Sequence, residues 1–184
     1  SSSTALTTLR SLTVSNNLAL SSLQFLQNVT SITANRSNQA SLVITNNSAL
    51  ASLNDLNRLS SIFSNINMSA NAALTTAMTS WGMAPNLTFP TDLSFVSISI
   101  IANPSLVQFG LPPSVRLLGG LTVTGNQNLL PFMLNLTSIA GNLTVGDNDA
   151  MDTILFPALT SVGGNLVIAE CNSMVNISLP VLVQ

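Results

Sequence analysis

This sequence predicts an all-β fold: a parallel β-solenoid of about seven leucine-rich coils with an internal Asn ladder. Three observations predict it. A nine-residue phrase recurs along the 184 residues, the phrase opens with the alternation of a strand, and its sixth position is nearly always Asn. The phrase reads apolar, x, apolar, x, x, Asn, x, x, apolar. It occurs at Leu12–Leu20, Leu42–Leu50, Ile66–Leu74, Ile98–Leu106, Leu121–Leu129, Leu143–Met151 and Leu166–Met174. Its starts are 30, 24, 32, 23, 22 and 23 residues apart, so a coil of 22 to 24 residues, twice enlarged by a loop, accounts for every interval.

Each element of the coil follows from this phrase. Alternate side chains of a strand point to opposite faces, so Leu12 and Val14 turn inward while Thr13 turns out, and the same holds in every coil. The sixth position holds Asn17, Asn47, Asn71, Asn103, Asn126 and Asn148, and in the last coil Cys171. An amide carries donors and an acceptor, so stacked coils place a self-complementary column there that also serves the backbone of the turns. After the ladder position come looser apolar residues, such as Leu129, Phe132, Leu134, Leu136 and Ile139 in the fifth coil. Their spacing of two or three predicts short extended pieces joined by turns. A leucine-rich horseshoe with a helix in each repeat is the alternative.

Gly141-Asn142 and Gly163-Gly164-Asn165 mark the corner into the next strand, where glycine is expected to supply a positive φ. The chain is read as one solenoid domain over residues 1–184, with loop insertions near 33–41 and 76–95. The second insertion carries Trp81 and Phe89, with Phe95 at its edge. Such loops either hold a binding surface or cover a core edge.

The segments Leu136 to Asp149 (LTSIAGNLTVGDND) and Leu159 to Cys171 (LTSVGGNLVIAEC) resemble the receptor L-domain-like repeat. That family includes the ligand-binding L domains of growth-factor receptors and glycosylated, lipid-anchored fungal cell-wall proteins. The resemblance is strong across residues 120–172, fair at 12–75 and poor at 76–119. It implies a right-handed solenoid and an extracellular location. It does not fix an activity, because function varies within the family. The cysteine-rich caps usual in receptor L domains have no counterpart in this sequence, whose one cysteine excludes an internal disulfide.

Composition narrows the function classes. With no His, Tyr or Lys and a single Cys, ordinary acid-base and nucleophilic constellations cannot be assembled, so no enzyme is expected. Only 5% of residues are charged, with four arginines and six acids, which leaves no basic surface for nucleic acid. No apolar run is long enough to span a membrane. Asp147, Asp149 and Asp152 form the one carboxylate cluster. They read as a solvated acidic turn rather than a Ca²⁺ site, and neither metal nor other cofactor is expected. Cys171 reads as a small packed core residue in a ladder position rather than a reactive thiol.

Eight N-glycosylation sequons occur, and the candidates for sugar attachment are Asn28, Asn35, Asn67, Asn86, Asn135, Asn142 and Asn176. The eighth, Asn46, adjoins the ladder. Glycans would supply hydration that charges do not. The outward strand positions are mostly Ser, Thr, Asn and Val, and Thr is too sparse among them for a regular ice-binding array.

These features point first to a non-catalytic extracellular structural glycoprotein module of a cell wall, surface coat or filament. The alternative is a recognition ectodomain for protein or glycan, and the weaker one an ice-binding solenoid. Leu6 and Leu9 precede the first strand in the phase at which LPVLVQ stops. The terminal coils are therefore expected to be covered by protein, either by a continuing chain or by another copy stacked head to tail.

Overall fold

The computed structural model describes residues 6–32, 41–59, 61, 62, 65–77, 97–111, 117 and 119–183. They form a parallel β-solenoid. Its spine is one sheet of seven parallel strands: Leu12–Ser15, Ser41–Thr45, Asn65–Ser69, Ile98–Ile101, Leu121–Thr124, Leu143–Gly146 and Leu166–Ala169. We call the coil that begins at each strand the first to the seventh.

The strands stack in the order of the sequence. Leu12 pairs with Leu42, Leu42 with Ile66, Ile66 with Ile98, Ile98 with Leu121, Leu121 with Leu143, and Leu143 with Leu166. Position thus meets like position throughout. Shifting the pairing by one residue would turn every inward side chain to solvent, which is why register is strongly specified here. Behind this sheet run smaller parallel ones, among them Thr8–Leu9, Ser31–Ile32 and Ser61–Ile62, and also Phe132–Met133, Thr153–Leu155 and Asn176–Ser178.

The first and third residues of each phrase fill the interior. From Leu42 and Ile44 to Leu143 and Val145 they are fully or almost fully buried. Each buried aliphatic side chain of this kind contributes roughly 1.5–3 kcal/mol of transfer free energy. The opposite wall is built from the looser segment, in which Leu50, Leu53, Leu56 and Leu59 are buried in the second coil. Phe109, Phe132 and Phe156 stack in successive coils as edge-to-face pairs with ring centroids 5.6 and 6.3 Å apart. The extended reading of this segment holds. Among the described residues the helical pieces are two short 3-10 turns, Gln24–Leu26 and Asn54–Leu56.

The fifth position of the phrase carries the turn out of the sheet. Asn16, Asn46, Ala70, Ala102, Gly125, Asp147 and Glu170 all have positive φ, between 50° and 70°. Simple alternation would send this side chain inward and the next one out. The left-handed residue reverses that order: it stays at the surface, and the sixth side chain swings into the core. Its own N–H still bonds the next coil, as Ala102 does to Thr124 O at 2.9 Å. A carbon-bearing side chain in this conformation costs ~1–2 kcal/mol, which Asn tolerates best.

The corner glycines act differently from the expectation. Gly141, Gly163 and Gly164 do not have positive φ; they lie where successive corners touch backbone to backbone. A Cβ on Gly141 would come within 2.8 Å of the Gly119 carbonyl carbon, and one on Gly163 within 2.3 Å of the Ala140 oxygen. Lack of space, not φ, selects glycine there. The insertions at 33–41 and 76–95 fall mostly outside the described residues, as do Trp81, Phe89 and Phe95.

Two substitutions test these readings. Ala102→Gly removes the left-handed penalty and should stabilise the protein by about 0.5–1 kcal/mol, after the unfolded chain's gain in freedom is deducted. Gly125→Ala should destabilise it, since the new Cβ would lie 3.2 Å from the Ala102 nitrogen as well as at positive φ. Urea-unfolding midpoints of the two variants should move in opposite directions.

Candidate functional site

The Asn ladder is the chain's one buried polar system among the described residues. Asn47, Asn71, Asn103, Asn126 and Asn148 are fully buried. Asn47, Asn103 and Asn126 donate the same set of bonds, and Asn71 the same set without the one to its own strand. For Asn126, the backbone N–H donates to Asn148 Oδ1 at 3.0 Å. Its Nδ2 donates to that same oxygen at 3.2 Å, to Ile100 O of the preceding coil at 3.0 Å and to Thr124 O of its own strand at 3.0 Å. Its Oδ1 accepts from the backbone N–H and Nδ2 of Asn103 at 3.1 and 3.3 Å. The column therefore has a direction: donors face the next coil, and each carbonyl oxygen faces the previous one.

Both ends of the column depart from the burial expected of them. Asn17 donates to Asn47 Oδ1 from its backbone and its amide, at 3.2 and 3.1 Å, yet is exposed because no described coil precedes it. Cys171 is half-buried. Its thiol donates to Ala169 O at 3.5 Å, the bond to its own strand that Asn126 makes to Thr124 O. It offers no carbonyl oxygen in return. Asn148 keeps its bond to Val123 O at 2.9 Å, but its backbone N–H has no rung acceptor among the described residues.

A second, exposed ladder runs beside the first, one that the repeat phrase does not announce. In three coils the residue just before the first apolar position of the phrase accepts a backbone N–H from the next coil. Asn65 Oδ1 accepts from Ser97 N at 2.8 Å, Ser97 Oγ from Gly120 N at 3.0 Å, and Asn142 Oδ1 from Asn165 N at 2.9 Å. Where this edge meets the glycine corners, the surface sinks into a groove of about 470 Å³. Ser97, Ser99, Thr122, Asn142, Gly120 and Gly141 line it, and no charged side chain does.

The outward face of the main sheet carries two columns. One is Thr13, Val43, Asn67, Ser99, Thr122, Thr144 and Val167; the other is Ser15, Thr45, Ser69, Ile101, Thr124, Gly146 and Ala169. Both lack charge and aromatic rings. Asn67 Oδ1 is buried there without a hydrogen-bond partner.

The sequon asparagines differ in their surroundings. Asn135, Asn142 and Asn176 are exposed, Asn28 and Asn67 are half-buried, and Asn35 and Asn86 lie outside the described residues. Asn28 Oδ1 accepts from Arg58 Nη1 at 3.3 Å. Asn46 donates to Asn16 Oδ1 at 2.7 Å, alongside the ladder. The three aspartates do not converge. Asp147 Oδ1 accepts from Gln127, Asp149 Oδ1 accepts from Asn172 at 2.6 Å, and no group of acidic, Cys or His side chains suited to a metal occurs among the described residues. No helix among the described residues is long and apolar enough to cross a membrane.

Residues 4–86 match the family model described as Receptor L domain. The match covers just under half of the chain and falls on the first three coils, not on residues 120–172, where the repeat phrase is most regular. No curated protein and no solved structure matches the chain.

The broken rung at Cys171 can be tested directly. Cys171→Asn restores a carbonyl oxygen opposite the Asn148 N–H and amide, and should stabilise the fold by ~1 kcal/mol through the added bonds. The measurement is the unfolding midpoint under reducing conditions, with Cys171→Ala as the reference for losing the thiol alone.

Proposed function

Proceeding from the receptor L-domain match of residues 4–86, we propose that this chain is a non-catalytic extracellular recognition module that binds a protein or glycan ligand on the outer face of its seven-stranded sheet. Receptor L domains are an extracellular, non-enzymatic, ligand-binding type of domain. The observation that carries the reading is the outer face itself. It is a continuous parallel surface of small side chains with neither charge nor bulk, so a partner can approach the backbone closely across several coils. Selectivity on such a face comes from shape and hydrogen bonding.

The structural reading is the second one, and a separate observation favours it. On the seventh coil Leu166 and Ile177 are 39% and 46% exposed, whereas Leu143 and Ile154, their partners one coil earlier, are fully buried. Another coil laid on that face, from a continuing chain or a second copy, would cover them and satisfy the free strand edges. An ice-binding face has less support, because Val43, Asn67 and Val167 interrupt the threonines of the first column.

Arrays of displayed secreted proteins and of immobilised glycans, probed with the purified chain, separate these readings. Recognition predicts a ligand whose binding weakens at least ~10-fold, equivalent to ~1.4 kcal/mol, in Val43→Arg. Phe25→Ser, away from the sheet, should leave binding unchanged. Sedimentation velocity supplies the opposing outcome: monomers at all concentrations favour recognition, and growing polymers abolished by Leu166→Asp favour the structural module.

A further inference from the structure

The groove beside the second ladder sits next to a sequon, and the two fit each other. Asn142-Leu143-Thr144 is an acceptor sequence for N-linked sugar. Asn142 is exposed, and its amide is engaged on one side only: Oδ1 holds the Asn165 N–H at 2.9 Å, while Nδ2 makes no hydrogen bond among the described residues. That is the arrangement an attached glycan needs, since the sugar is carried on Nδ2 and the carbonyl oxygen stays free to accept. Asn28, by comparison, is half-buried with its oxygen turned to Arg58, and Asn67 has its oxygen buried.

We propose that Asn142 is N-glycosylated and that the first sugars of this glycan lie in the groove formed with Ser97, Ser99, Thr122 and the corner glycines. In the attachment step Nδ2 loses one proton and forms a bond to the anomeric carbon of an oligosaccharide. The bond from that carbon to the diphosphate of a lipid-linked donor breaks, and the diphosphate leaves with the electron pair.

The groove has the chemistry to seat what is attached. Its lining is uncharged and presents hydroxyls at Ser97, Ser99 and Thr122, which can both donate to and accept from sugar hydroxyls and acetamido groups. Its open volume is about 470 Å³, and the glycine corners at Gly120 and Gly141 form part of its wall. These corners must be glycine for the coils to stack: a Cβ on Gly120 would stand 2.9 Å from Asn142 O. Stacking of these corners brings Asn142 to the edge of the groove, where it is one of the lining residues. A seated glycan would cover the outer face around the fourth and fifth coils. The largest uncovered stretch left for a ligand would then be the face of the first three coils, around Thr13, Val43, Thr45, Asn67 and Ser69.

The inference rests on the extracellular reading, and the test separates the two. The chain is secreted from a eukaryotic cell, its glycopeptides are identified by mass spectrometry, and native protein is treated with peptide-N-glycosidase. Asn135, exposed and outside the groove, is the internal reference. The expected result is sugar at Asn142, released at least ~10-fold more slowly than the sugar at Asn135. Ser99→Phe, which fills the groove from the sheet face, should bring the two release rates together.

Sugar at Asn135 with none at Asn142 overturns this proposal and leaves the extracellular reading standing, and sugar at neither overturns the proposal as well. Equal release rates in the unsubstituted protein overturn the seating. If Asn142 is unmodified but the groove binds added diacetylchitobiose, the saccharide comes from outside and the attached-glycan proposal fails.

Discussion

A solenoid interior must satisfy the backbone of its turns without water, and in this chain the Asn ladder meets that constraint. Each buried amide from Asn47 to Asn126 serves three coils: it accepts from the coil before, donates to the coil after, and returns a bond to the strand behind it. Net, such bonds are worth ~1 kcal/mol each. Their larger effect is negative, because a coil that slips in register leaves several buried polar groups unpaired at ~1–3 kcal/mol apiece. The ladder thus fixes which residue stacks on which. From that follow the like-on-like aliphatic columns, the Phe109–Phe132–Phe156 stack and the smooth outer face.

The ladder depends in turn on a residue that does not look important. The fifth position must adopt a left-handed conformation in all seven coils, or the sixth would point to solvent. Its occupants are Asn twice, Ala twice, Gly, Asp and Glu. The conformation is imposed by the stack, and is not chosen by these residues. Asn prefers it, Gly permits it, and Ala70, Ala102 and Asp147 are held in it by the strand bond to the next coil and by burial of the amide one step later.

That dependence explains what was legible in the sequence. The strands and the ladder were legible because their signals are side-chain periodicities: Leu121, Val123 and Asn126 announce inward positions by their chemistry. The positive φ at Ala70, Ala102 and Glu170 was not, since none of these residues carries a local preference for it. The glycine corners were legible as corners but not in their cause, because close approach of two backbones 22 or 23 residues apart leaves no mark on either segment alone. Cys171 stood in a ladder position and was expected to be buried. It is half-buried, in a coil at the edge of the sheet, and a single phrase cannot report what stacks on it. The groove and the exposed ladder of Asn65, Ser97 and Asn142 were invisible for the same reason: both arise only when coils are stacked.

Function in such a molecule belongs to its surfaces, since the interior is committed to holding register. The uncharged sheet face, the sugar-compatible groove and the open seventh coil are separate regions, each with chemistry set by which side chains the ladder turns outward. The account stands or falls on the ladder's direction and its broken last rung. Native-state amide hydrogen exchange, resolved residue by residue by NMR, tests it most directly. The backbone N–H groups of Asn47, Asn71, Asn103 and Asn126 should be among the slowest to exchange, with their side-chain amides slowed as well. That of Asn148, which lacks a rung acceptor, should exchange markedly faster. Fast exchange along the whole column, or an Asn148 N–H as protected as that of Asn126, would contradict the account.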